Sequence, residues 1–307
     1  MTTPPQPPMP PQHPQPPMPP QPRMNPEEFR QRTFTIEAEV GQVIVGQREL
    51  IRQTVVTLLA GGNALLEGVP GLAKTTLVRT LADVIDCSFS RIQFTPDLMP
   101  ADIVGTTLIN EDEHGRKAFR FEPGPIFANL VLADEINRAT PKTQSALLEA
   151  MQERTDTEAK KNHRLSTPFF VLATQNPLEM EGTYPLPEAQ LDRFLFKVNV
   201  SFPTTAELVE IANRTTGNRA PQPRKVANSA MIMEMQTLAR TVPIGSHLLN
   251  YAARLISATH PENKEAPPVT RQYIRYGSSP RGMQAIILAG KILALLDNRY
   301  NVDFKDL

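Results

Sequence analysis

Apolar positions along the chain change period several times, and each change marks an element. Residues 1–26 have no periodic apolar face: thirteen of them are proline, interleaved with glutamine and methionine. Such a stretch cannot bury enough surface to fold and reads as a disordered or polyproline-II tail. From residue 26 the spacing becomes helical. Phe29, Phe34, Ile36, Val40 and Val43 share one side of a helix that closes near Val45-Gly46-Gln47, and a second helix over 48–59 stops at Gly61-Gly62. Strand-length runs follow at 64–66, 90–94, 129–133, 169–173 and 196–200, separated by helical patterns at 75–85, 141–153 and 188–194. Near-continuous apolar runs between helices predict a parallel sheet covered on both faces. After Pro203 the strands cease, and patterns at 205–219, 229–241, 246–259 and 279–297 predict an α-helical domain. Residues 302–307 read as the start of another helix with Asp303 as N-cap, as if the chain were truncated there.

Two segments interrupt the alternation. Residues 95–126 are punctuated by Pro96, Pro100, Gly105, Gly115, Pro123, Gly124 and Pro125, and 106–109 is placed to pair with 117–121 as a hairpin across 110–116. Residues 155–166 are polar and read as a second hairpin or loop. The expected organisation is therefore a tail (1–26), an α/β domain (27–202) carrying an insert (95–126), and a helical domain (203–307).

Composition narrows the function classes. The 32 basic and 32 acidic residues cancel, which gives no global electrostatic reason for a nucleic-acid partner or an anionic membrane surface. Cys87 is the only cysteine, so neither an internal disulfide nor a thiolate zinc cluster can form, and a reducing, cytoplasmic setting is expected. Apolar runs are too short for a membrane span, and the proline-rich start is no signal peptide. Five scattered histidines lack metal-ligand spacing.

The chemistry is concentrated after the first strand. Gly68-Val69-Pro70-Gly71-Leu72-Ala73-Lys74-Thr75-Thr76 turns from that strand into an amphipathic helix, the order of a phosphate-binding loop. Backbone N–H groups and the helix N-terminus would cradle phosphate oxygens, Lys74 would reach the β- and γ-phosphates of ATP, and the Thr75 hydroxyl would ligate Mg²⁺. Ala73 stands where the pattern asks for glycine. It is strained if that position needs a positive φ and harmless if it begins the helix. Sixty residues after Lys74, an apolar strand ends in Asp134-Glu135, which suits Asp134 to hold Mg²⁺ through water and Glu135 to polarise the attacking water. Asn176 ends the next strand and could orient that water, although Asn-Pro is also an ordinary turn. Arg193 could enter a neighbouring subunit's site, and Arg281, at the start of a helix where a cation opposes the dipole, invites a phosphate partner.

The segments GVPGLAKT, LVLADEINRA, ATQNP, QLDRF and SPRG, in this order and spacing, resemble a MoxR-type AAA+ ATPase of the helix-2-insert group, related to magnesium-chelatase ATPase subunits. FTPDLMPADIVG and FRFEPGPIFANLVLADEINRATPKTQSALLEAMQE are the more specific part of the likeness, which spans residues 27–307. The resemblance implies a P-loop AAA+ core followed by a helical lid. It casts Asp134 and Glu135 as Walker B, Asn176 as sensor 1, Arg193 as arginine finger and Arg281 as sensor 2, acting in its own subunit or the next. Ile44-Val45-Gly46-Gln47 matches the segment lining the adenine pocket, and the two hairpins match elements facing the pore or substrate. It further implies ATP and Mg²⁺, a homo-oligomeric ring of hexamer size, and chaperone-like remodelling, maturation or metal-cofactor insertion of client proteins, with von Willebrand factor A domain partners. A chelatase-type motor would use the same residues, and a nucleotide-switched binding module would bind without turnover. A nucleic-acid motor is disfavoured by the zero net charge.

Overall fold

The computed structural model describes residues 24–69, 71–111, 117–153, 155–158, 161–176, 182–217 and 221–307. The proline-rich segment to Arg23, Pro70, the hairpin tips, Pro177 and Arg219 therefore lie outside the described residues. Helix α1 (Pro26–Val43) starts where Asn25 accepts from the Glu28 N–H and Pro26 supplies the fixed φ of a first turn. α2 (Arg48–Ala60) ends at Gly61 in the left-handed region, as its Gly-Gly stop predicts. β1 (Ala64–Glu67), α3 (Lys74–Val84) and β2 (Phe89–Gln93) follow. A short helix α4 (Pro100–Val104) then leads into the hairpin of β3 (Gly105–Glu111) and β4 (Lys117–Pro123), the antiparallel pair expected over 106–109 and 117–121 but longer, with Ile109 opposite Phe119 and Glu111 opposite Lys117. β5 (Leu130–Asp134), α5 (Pro141–Glu153) and the small hairpin β6 (Thr155–Glu158) and β7 (Lys161–Arg164) lead to β8 (Phe170–Gln175), α6 (Glu188–Leu191) and β9 (Phe196–Asn199).

The sheet is five-stranded and parallel, in the order β2-β5-β8-β1-β9. Its central strands are buried on both sides, and successive residues feed opposite cores. Leu66, Leu132 and Leu172 pack with α1, α2 and α3, whereas Leu65, Val131 and Val171 pack with α5, with Ile92 and Phe94 at the end of β2, and with the insert residue Ile103. Burying each such side chain contributes about 1.5–3 kcal/mol. The expectation of near-continuous apolar strands fails at β2 and β9. Each lies at a sheet edge, and each buries a single residue, Ile92 or Val198.

Beyond β9 the described chain is helical: α7 (Thr205–Thr215), α8 (Ser229–Thr241), α9 (Ser246–Ala258), α10 (Pro268–Tyr273) and α11 (Pro280–Leu296). The final residues form a 3-10 turn over Phe304–Asp306, capped by Asp303 as expected. The first core runs on through α1 and α2 into this part, where Ile232, Met235, Ile292 and Leu295 join it. Glu39 of α1 reaches across to Arg224, accepting from its backbone N–H (3.0 Å) and from its guanidinium (2.5 and 3.0 Å). The two hairpins also meet, with the Phe121 ring stacked on His163 at 4.0 Å between centroids. No helix among the described residues is long and apolar enough to cross a membrane.

Candidate nucleotide-binding site

The loop after β1 is anchored by its own lysine. Lys74, only 9% exposed, donates from Nζ to the Gly68 carbonyl at 2.7 Å, holding the turn closed. Burial pushes this ammonium below the usual lysine range, and the charges of Asp134 and Glu135 oppose that shift. Gly71 sits at φ 83°, and Ala73 at φ 55°, ψ 18°. The strained alternative for Ala73 is therefore the one realised, with the helix starting one residue later at Lys74.

Parallel strands bring the remaining groups to the same rim. β8 lies between β1 and β5, so Asn176, one residue past β8, stands between the loop and Asp134-Glu135. Gly71, Ala73, Lys74, Thr75 and Thr76 face Asp134, Glu135 and Asn176 around a cavity of about 380 Å³. Thr174 organises the carboxylates, its hydroxyl donating to Asp134 Oδ1 (2.7 Å) and accepting from the Glu135 N–H (2.9 Å). Glu135 itself is left-handed, at φ 58°. The Thr75 hydroxyl and the Asp134 carboxylate are hard oxygen donors on one cavity, a set that fits Mg²⁺.

Two further lining residues, Arg91 and Gln93, escape the sequence reading. Arg91 donates to Asp134 Oδ2 from Nη2 (2.7 Å) and Nε (3.2 Å) and to Gln93 Oε1 (2.5 Å), while Gln93 donates to Glu135 Oε2 (3.0 Å). Both carboxylates are thus tied to the edge strand through one relay. The alternation of Arg91 and Gln93 about Ile92 is visible in the sequence, but the register that sets them level with Asp134 is not.

A second cavity of about 360 Å³ adjoins the first, sharing Gly71, Ala73 and Thr76 with it. Val45 and Gln47 form one wall, Leu72 contributes beneath, and Pro203, Ile211 and Thr215 close the far side. Gly46 lies on the reverse of that wall at φ 65°. Val69 packs against the core rather than facing either space. A small apolar chamber opening into a polar one has the form of a base pocket leading to a phosphate pocket.

Arg193 and Arg281 line neither cavity. Arg193 is half-buried, donating from Nη1 to the Leu148 carbonyl (3.0 Å). Arg281 pairs at 3.5 Å with Asp192, the residue before Arg193, and Asp192 also accepts from the Ser279 hydroxyl. Arg281 thus contacts the residue next to Arg193 in the chain, while the Arg193 side chain itself turns to α5.

Comparison with known proteins bears on this geometry. The ATPase family associated with various cellular activities (AAA) matches residues 63–196. Chaperone MoxR1 of Mycobacterium tuberculosis is 46% identical over 261 residues, covering 85% of this chain and 68% of that protein. Protein MoxR of Paracoccus denitrificans is 31% identical over 90% of this chain and 84% of its own length. The chain belongs to the MoxR family of AAA+ ATPases. A crystal structure from Cytophaga hutchinsonii, assigned as an ATPase, superposes with a TM-score of 0.84 at 40% identity, covering 92% of this chain and 84% of that one. The span matched to the AAA family contains Lys74, Asp134, Glu135, Asn176 and Arg193. Val45, Gly46, Gln47 and Arg281 lie outside it and depend on the longer MoxR likeness.

Proposed function

We propose that this MoxR-family chain is a Mg²⁺-dependent ATPase that works as a homo-oligomeric ring, of hexamer size, in which hydrolysis remodels or matures client proteins. The observation carrying the reading is the convergence of Lys74, Thr75, Asp134, Glu135 and Asn176 on one cavity that opens into an apolar chamber of base size. The apolar chamber takes adenine between Val45, Gln47 and Leu72. Lys74 and the loop N–H groups hold the β- and γ-phosphates, with Gly68 and Val69 leading into the turn. Thr75 and Asp134 hold Mg²⁺, which supplies charge neutralisation at the phosphates when bound. Glu135 accepts a proton from the water that Asn176 orients, and the bond from Gln93 to Oε2 restrains how far that carboxylate can turn toward the water.

Charge balance supports a shared site. Lys74 and Arg91 offset Asp134 and Glu135 within the cavity, so Mg²⁺ with ATP brings surplus negative charge that this chain's own lining does not match. Arg193 and Arg281, which line neither cavity, are assigned to supply that charge to the neighbouring subunit. Residues 203–307 act as the lid, and the hairpins within 95–126 and 155–166 face the client. The chaperone name of the mycobacterial relative favours this work over a chelatase-type motor, and the complete catalytic set favours it over a switch without turnover. Partner proteins with von Willebrand factor A domains and a cytoplasmic location complete the reading. Mixing tests the shared site. Glu135→Gln and Arg193→Ala rings should each be inactive alone and regain part of the phosphate release when co-assembled; no regain at any ratio overturns the shared site.

A further inference from the structure

Residues 43–47 form the wall between two cavities: the apolar base chamber on one side and a larger space of about 620 Å³ on the other. Two consecutive residues of that wall, Gly46 and Gln47, hold positive φ (65° and 42°), which its local sequence alone does not favour for glutamine. The wall is fastened from the segment after β9 and from α7. Gln47 Nε2 donates to the Ser201 carbonyl at 2.9 Å. Gly46 lies so close to Glu207 that a Cβ there would come within 1.9 Å of its carboxylate oxygen. Arg214, near the end of α7, donates to the Gln42 carbonyl (2.6 Å) and reaches that of Gly41 (3.5 Å), while its Nε is held by Glu210 (2.6 Å). These carbonyls belong to the last turn of α1, where helical partners run out and the dipole favours a cation. Arg214 also lines both cavities.

We infer that Arg214 is a positioning residue for the nucleotide base. By capping α1 from α7 it sets the 43–47 wall, so base affinity depends on how the helical part is seated, whereas phosphate affinity does not. Displacing α7 withdraws the cap, releases the wall and opens the chamber while leaving the loop around Lys74 intact. This inference rests on the ATP-binding reading, and the test separates the two.

The experiment is calorimetric titration of the full chain with ATP, ADP and tripolyphosphate, comparing wild type with Arg214→Ala, Arg214→Lys and Lys74→Ala. Losing a charge-assisted bond to the carbonyls should weaken ATP and ADP by the same factor, about ten- to a hundredfold, with tripolyphosphate unchanged. Arg214→Lys, which keeps a cation at the α1 terminus, should recover part of the loss, and it carries the test alone if Arg214→Ala does not fold, as a smaller shift in the same direction. Lys74→Ala should weaken all three ligands. Wild-type ATP affinity in the Arg214 variants, or an equal loss of tripolyphosphate binding, overturns the inference. Wild type that binds tripolyphosphate and ATP with equal affinity overturns the base chamber itself, and failure to bind ATP at all overturns the nucleotide reading.

Discussion

Replacing Ala73 by glycine should stabilise the protein. Ala73 adopts φ 55°, ψ 18° immediately before α3, its methyl is exposed, and its carbonyl accepts the Leu77 N–H at 2.8 Å. A left-handed conformation costs a non-glycine residue about 1–2 kcal/mol. Glycine removes that strain and forfeits almost no packing, because the methyl touches solvent. Against this, the unfolded chain gains freedom worth about 0.4–1 kcal/mol. The balance is a gain of about 0.5–1 kcal/mol, read as an upward shift of the denaturant midpoint without a change of slope. Ala73→Val should move the other way by more than 1 kcal/mol, since a β-branched side chain tolerates this region least. Urea unfolding followed by circular dichroism measures both. If Ala73→Gly is destabilised by 1 kcal/mol or more, the loop conformation described for residue 73 is wrong.

Other perturbations probe separate parts of the account. Gln93→Ala removes the bond tying Glu135 Oε2 to the edge strand and leaves the carboxylate freer to turn toward the attacking water, so basal phosphate release should rise about fivefold, in a steady-state assay. Gly46→Ala forces a Cβ into Glu207 at a residue with φ 65°, and thermal melting should show a loss of at least about 1–2 kcal/mol together with weaker ATP binding. Hydrogen bonds from the Arg224 guanidinium and backbone hold the buried Glu39 carboxyl below its ordinary value. A lowered carboxylate pKa contributes stability that is complete above the unfolded value and is lost as pH falls through the folded one. Wild type should therefore lose stability more steeply than Glu39→Gln over the acidic range below the ordinary glutamate pKa, and parallel acid melts of the two would contradict the pairing.

Legibility of the sequence followed the physics of each element. β5 and β8 match their apolar runs because both faces are buried, whereas β2 exposes Arg91 and Gln93 and departs from the apolar strand expected there. α4 and α10, five and six residues long, are too short to show a helical period. Lys74, Asp134, Glu135 and Asn176 could be found because each ends or follows a strand, and parallel order alone brings strand ends together. Arg91 and Arg214 could not. One depends on the register of an edge strand, the other on where α7 sits against α1. The conformation of Ala73 was also closed to sequence, since the same residue suits either a strained loop or an ordinary helix start.

The most direct test of the catalytic cavity is Glu135→Gln measured twice, once for ATP affinity and once for phosphate release. The proposed mechanism predicts ATP bound as tightly as by wild type, because it assigns Glu135 to the attacking water and not to the phosphate cradle, with phosphate release reduced about 10²–10⁴-fold. Turnover retained within a few fold of wild type would contradict the account.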